Sequence, residues 1–195
     1  MSFQSLLFIF PFVLVHSLFA LQVNEQVPIF QAVDSKGSKW NSQNFRGQKH
    51  LLIYFYPAAM TGGCTKQACA YRDDYKKWKK NGVEIVAVSG DMPSNLALFK
   101  EVENLPFTLL SDPEGKLARL FDVPTTSGGV IEKLFKGEKF KLKRGVTTKR
   151  WTFLLSKHGK LIYKNDKVNA SKDSEIVMKF LKNKKSWFRI MAKTV

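Results

Sequence analysis

The chain has 195 residues, 44% of them hydrophobic, 13% aromatic and 25% charged, with two cysteines and three histidines. This composition suits one globular domain with a sizeable core and excludes a largely disordered protein. Two cysteines exclude a disulfide-built scaffold, and the scattered His16, His50 and His158 exclude a His/Cys zinc site. The net charge of +16 is uneven: residues 1–132 hold 13 basic and 12 acidic side chains, whereas residues 133–195 hold 19 and 4. A basic final third is drawn to anionic surfaces and also favours solubility, without the features of specific nucleic-acid recognition.

Residues 6–15, LLFIFPFVLV, are an unbroken apolar run of ten. The run is shorter than the ~18–20 residues of a membrane-spanning helix and contains Pro11. It fits the core of a secretory signal peptide, or else an N-terminal hydrophobic anchor, over residues 1–20, although no Lys or Arg precedes it. Cleavage is compatible with Ser17 or Ala20, and export to a periplasm or the exterior is expected. The alternative is a buried first strand or helix.

From residue 24 onward, strand-like and helix-like patterns alternate. Residues 50–56 form a continuous β-prone run ended by Pro57 and read as a buried central strand. Residues 64–81 have helical spacing and stop at Asn81-Gly82. Residues 83–89 are a second buried strand, and residues 93–103 a helix with Pro93 in its first turn. A short strand follows at 107–110, a short helix at 115–121, and strands at 150–155 and 160–164. A final helix spans 171–182 with Ser171 as its cap. Residues 124–148, with Gly128-Gly129, a basic patch and Gly145, suggest an inserted loop or hairpin. The alternation predicts an α/β sandwich on a mostly parallel sheet. The domain is expected over 24–185, with a basic C-terminal extension at 186–195. Asn169-Ala170-Ser171 is a glycosylation sequon.

Both cysteines fall in PAAMTGGCTKQAC, residues 57–69. Cys64 stands where a buried strand ends and a helix begins. Free N–H groups and the positive end of the helix dipole favour thiolate over thiol there, so Cys64 is expected to be nucleophilic. Gly62 and Gly63 let the backbone approach a small ligand, at the carboxyl edge of the sheet where α/β folds bind ligands. In a regular helix, a spacing of five residues sets the two Cα atoms about 8–9 Å apart. A disulfide needs about 7 Å or less, so the pair cannot bond while the helix is intact. Taken alone, Cys69 reads equally as a small core residue and Cys64 as an incidental loop thiol.

The stretch YFYPAAMTGGCTKQACAYRDDY resembles the active-site segment of peroxiredoxins, in particular the Q-type, bacterioferritin-comigratory-protein-like subfamily. The family pattern P-x-x-x-T-x-x-C is met by Pro57, Thr61 and Cys64, and the Q-type resolving cysteine by Cys69. LPFTLLSDPEGKLARLFDV resembles the family's next strand–helix unit, and Arg150 in RWTFLLSKHGKLIY matches its active-site arginine. The resemblance covers residues 24–185. The chain departs from it at Gly62, where the family usually has Pro, at Pro124, in segment 124–148 and in the C-terminal extension.

The resemblance implies a thioredoxin-like fold, a mixed sheet flanked by helices, and thiol-dependent reduction of hydrogen peroxide and organic hydroperoxides. Cys64 would attack the peroxide and become a sulfenic acid. Arg150 would hold the thiolate and peroxide oxygens, Thr61 would hydrogen-bond the peroxide or thiolate, and Pro57 would shield the site. Cys69 would condense with the sulfenic acid, and a thioredoxin-like donor would reopen the disulfide. No bound cofactor is needed and a monomer is expected. Two other readings remain: a thiol–disulfide oxidoreductase without peroxidase activity, and a basic membrane- or anion-binding module with vestigial cysteines.

Overall fold

The computed structural model describes residues 21–191, with side chains through residue 184. Its centre is made by the two most apolar stretches of the sequence. Strand β3 (His50–Phe55) is buried beyond His50, and β4 (Val83–Ser89) is buried throughout. They pair in parallel, and β5 (Thr108–Ser111) joins β4 in the same sense. The predicted residues 160–164 appear as β9 (Leu161–Asn165), antiparallel to β8 (Trp151–Leu155), which is itself antiparallel to β3. On the other side, a hairpin of β1 (Gln31–Asp34) and β2 (Lys39–Asn41) adds antiparallel to β5. The order is β2-β1-β5-β4-β3-β8-β9.

The sheet is thus mixed, as the family resemblance implies, but the expected predominance of parallel pairing holds only for β3, β4 and β5. The outer strands come in hairpins, and a tight turn can join only antiparallel neighbours. Alternation along β3 splits the core in two. Leu52 and Tyr54 face a cluster with Tyr71, Trp78, Phe99 and Val177, whereas Leu51, Ile53 and Phe55 face one with Leu117, Phe121 and Phe153.

The predicted helix at 64–81 is two helices, α1 (Gly62–Asp73) and α2 (Tyr75–Lys80), broken at Asp74. The Asp74 carboxylate accepts from Lys77 at 2.7 Å and from the Ser174 hydroxyl at 2.9 Å. The bond to Ser174 ties the corner to the first turn of the last helix. Helices α3 (Pro93–Val102) and α4 (Lys116–Leu120) follow prediction closely. The last helix, α5 (Asp173–Met191), starts two residues after the expected cap. Ser171 does not cap it; its hydroxyl donates to Asn169 Oδ1 at 3.0 Å. The helix also runs through the boundary expected near residue 185.

Segment 124–148 is a long hairpin, β6 (Thr125–Phe135) and β7 (Glu138–Thr148), forming its own two-stranded sheet. Lys136 (φ 52°) and Gly137 (φ 83°) make the two-residue turn whose twist suits a hairpin. Its root is wedged against the main sheet: the Gly145 N–H donates to the Gly90 carbonyl at 2.9 Å. A Cβ on Gly90 would strike the Val146 carbonyl, and one on Gly145 the carbonyl of Pro113. No described helix is long and apolar enough to cross a membrane. The apolar run at 6–15 and its proposed cleavage sites lie outside the described residues.

Candidate active site

Pro57 ends β3 and opens a loop that returns the chain to the start of α1. In it Met60 adopts a left-handed conformation (φ 58°) and Thr61 an extended one (φ −101°, ψ 148°). The Thr61 hydroxyl donates to the Ala58 carbonyl at 2.9 Å and does not cap the helix, so it stiffens the loop. Asp91 holds the loop from behind, its Oδ2 accepting from the Ala59 N–H and the Ser89 hydroxyl, both at 2.8 Å. Burial pushes the Asp91 carboxyl up, and these bonds, with Arg144 nearby, partly offset the rise. Pro57 is half-buried at the mouth of this loop.

Cys64 is the third residue of α1, in the turn whose N–H groups lack intrahelical partners, and is 2% exposed. Arg150, the residue before β8, reaches over it: Nη2 donates to the Cys64 sulfur at 3.3 Å and Nη1 to Gln67 Oε1 at 2.6 Å. The antiparallel pairing of β8 with β3 brings Arg150 beside the end of β3, where the cysteine loop begins. A cation fixed on a sulfur at a helix N-terminus can stabilise negative charge developing there.

Gln67 connects this pair to the rest of the molecule. Its Nε2 donates to Asp173 Oδ2 at 2.8 Å, and the same oxygen accepts from Tyr71 and Thr152 hydroxyls, each at 2.7 Å. Burial pushes the Asp173 carboxyl up against the pull of these three donors and Arg150. Sequence reasoning missed Gln67, Tyr71, Thr152 and Asp173. Gln67 was within its reach, because a residue three positions after Cys64 shares its helix face. Nothing local marks Asp173, which meets Gln67 across 106 residues.

Neither cysteine is in a disulfide; Cys64 is buried and Cys69 half-buried. The Cys69 thiol donates to Glu103 Oε2 at 3.5 Å. Burial, and then the bond to Glu103, push this thiol up. The structure therefore brings Cys64 and Arg150 into contact, sets Pro57 and Thr61 in the loop beside them, and holds Cys69 apart.

The AhpC/TSA family profile matches residues 23–164. Over 158 residues the chain is 39% identical to the chloroplastic Peroxiredoxin Q of Gentiana triflora, covering 80% of this chain and 64% of that one. The chain spans less than two thirds of several chloroplastic relatives, 64% of that protein and 58% of its counterpart in Populus jackii. It is 37% identical over 162 residues to Peroxiredoxin Bcp of Escherichia coli K12, covering 83% of this chain and 96% of the relative. Among solved structures, peroxidoxin BcpB from Mycobacterium tuberculosis superposes with a TM-score of 0.69 at 26% identity, covering 84% of this chain and 97% of that one. The Xanthomonas campestris bacterioferritin comigratory protein, which has an alkyl peroxide reduction activity, gives a TM-score of 0.65 at 27% identity, over 79% and 90%. The chain belongs to the AhpC/TSA family, and within it to the peroxiredoxins of the Q and Bcp type.

Proposed function

We propose that this chain is a thiol-dependent peroxidase for hydrogen peroxide and organic hydroperoxides, with Cys64 as the attacking residue. The observation that carries this reading is the 3.3 Å contact from Arg150 Nη2 to the Cys64 sulfur at the first turn of α1. The thiolate takes the terminal oxygen of ROOH, the O–O bond breaks, and the products are a Cys64 sulfenic acid and an alcohol or water after proton uptake. Arg150 stabilises the charge passing to the leaving oxygen. Thr61 and Pro57 shape the loop over the site. Cys69 then condenses with the sulfenic acid, releasing water and forming a 64–69 disulfide, and a thioredoxin-like dithiol reduces it to two thiols. Both cysteines lie on one chain, so a monomer can complete the cycle.

The alkyl peroxide activity of the Xanthomonas campestris relative supports the hydroperoxide class. Export rests on the apolar run at 6–15, and contact with anionic surfaces on the net +15 of residues 133–195. The decisive experiment is thioredoxin-coupled peroxide turnover by wild type, Cys64→Ser and Cys69→Ser. Cys64→Ser abolishes peroxide reduction, because a serine hydroxyl is almost never ionised at neutral pH. Cys69→Ser is oxidised once but loses thioredoxin-supported turnover. Normal turnover by Cys64→Ser overturns the assignment.

A further inference from the structure

The first turn of α5 grips α1 and α2 on both sides of Cys69. Asp173 binds Gln67 and Tyr71 through one oxygen, and Thr152 of β8 donates to that oxygen as well. The next residue, Ser174, accepts from Trp78 Nε1 at 2.9 Å and donates to Asp74 at 2.9 Å. Asp173 and its three donors are fully buried. Arg150 joins through Gln67, so one chain of hydrogen bonds runs Cys64–Arg150–Gln67–Asp173.

A 64–69 disulfide requires these turns of α1 to unwind, since their regular spacing holds the Cα atoms about 8–9 Å apart. Gln67 lies inside the segment that unwinds and cannot keep both Arg150 and Asp173. Trp78 lies beyond it and keeps its partner, and Tyr71 stands at its edge. Gly62 and Gly63 open α1 with the weakest helix formers after proline, so little else resists unwinding from that end.

We propose that Asp173 is a positioning residue that latches α1 in its wound form. Release of Gln67 from Asp173 admits Cys69 to the Cys64 sulfenic acid, and the Tyr71–Asp173 bond sets where unwinding stops. This rests on the disulfide cycle proposed above. While α1 is wound, the sulfenic acid stays in the site, where a second ROOH can convert it to sulfinic acid and release ROH. Unwinding commits it to the disulfide instead. The strength of the latch therefore sets the peroxide concentration at which the enzyme is inactivated.

The test uses the full chain with Asp173→Asn, Asp173→Ala and Tyr71→Phe, cycled with thioredoxin and hydrogen peroxide. Sulfinic acid is read by intact mass, and amide exchange is read on the reduced proteins. Tyr71→Phe loses a single donor and keeps its ring, so it serves if Asp173→Ala fails to fold. The peroxide dose for half inactivation rises about 3- to 10-fold, most for Ala and less for Asn, which keeps an acceptor oxygen. Exchange quickens over residues 62–69 while residues 75–80 stay as in wild type. In a Cys69→Ser background the protection disappears, because no disulfide can form. Wild-type dose and exchange in both Asp173→Asn and Tyr71→Phe, or protection that survives Cys69→Ser, overturns the latch. Thioredoxin-supported turnover by Cys69→Ser overturns the disulfide cycle itself, a separate result.

Discussion

Gly63 and Arg150 are fitted to each other: a Cβ on Gly63 would stand 3.3 Å from Arg150 Nη2, the nitrogen that donates to the Cys64 sulfur. Replacing Gly63 by Ala crowds that nitrogen while favouring the helix. Gly63→Ala is expected to lower kcat/KM for peroxide about 10-fold, roughly 1.4 kcal/mol of lost transition-state stabilisation. The same change raises or preserves Tm, because Ala is about 0.5–1 kcal/mol better than Gly within a helix. Paired kinetics and melting curves check this opposition; a parallel fall in both would place the effect in the fold.

Arg150 acts through a planar fork, one nitrogen on sulfur and the other on Gln67. Lysine carries the charge as a single point and cannot serve both partners in that geometry. Arg150→Lys should cost about 10²-fold in kcat/KM, near 2.7 kcal/mol, within the range for a charge-assisted hydrogen bond. Stopped-flow oxidation of Cys64 measures it, and activity within twofold of wild type would remove Arg150 from the chemistry.

Gly62 is the first residue of α1, where proline is well tolerated, and Thr61 before it already has the extended conformation that a following proline demands. A Cβ at Gly62 meets nothing within 4 Å. Gly62→Pro is expected to stabilise the reduced protein by about 0.5–1 kcal/mol by restricting the unfolded chain. It should also slow disulfide formation several-fold, since it stiffens the end from which α1 unwinds. Rapid-quench mass spectrometry after one peroxide equivalent gives the rate.

Glu103 faces the Cys69 thiol, and burial followed by this bond raises the thiol above its ordinary range. A carboxylate beside a thiol opposes the thiolate, so Glu103→Gln should move Cys69 downward. In a Cys64→Ser background, the pH midpoint of Cys69 alkylation falls and the rate at neutral pH rises. An unchanged midpoint would leave burial, with Asp73 nearby, as the cause.

The parts of this molecule legible in the sequence are those written locally. Apolar runs marked β3 and β4, and a strand end running into glycines marked the Cys64 turn. Arg150 was legible only through its resemblance to a known motif. The β1–β2 hairpin was missed because its strands are three and four residues long and mostly half-exposed or exposed, which leaves almost no periodicity. The corner at Asp74 and the role of Asp173 depend on contacts spanning 100 and 106 residues, and no local pattern encodes such a meeting.

The β6–β7 hairpin divides sharply between root and tip. At the root, backbone packs on Gly90 and Gly145 with no room for a methyl group, and Asp91, whose backbone pairs with that of Arg144, carries the loop that faces the thiol. At the tip, Leu134 is 69% exposed and Lys136 and Gly137 are exposed, with one surface ion pair from Lys136 Nζ to Glu101 Oε1 of α3 at 3.2 Å. Length and charge can therefore drift at the turn without disturbing the chemistry, whereas a single methyl at Gly145 would be felt there. A peptide tag grafted between Lys136 and Gly137 would give an affinity handle that leaves the Cys64–Arg150 contact in place.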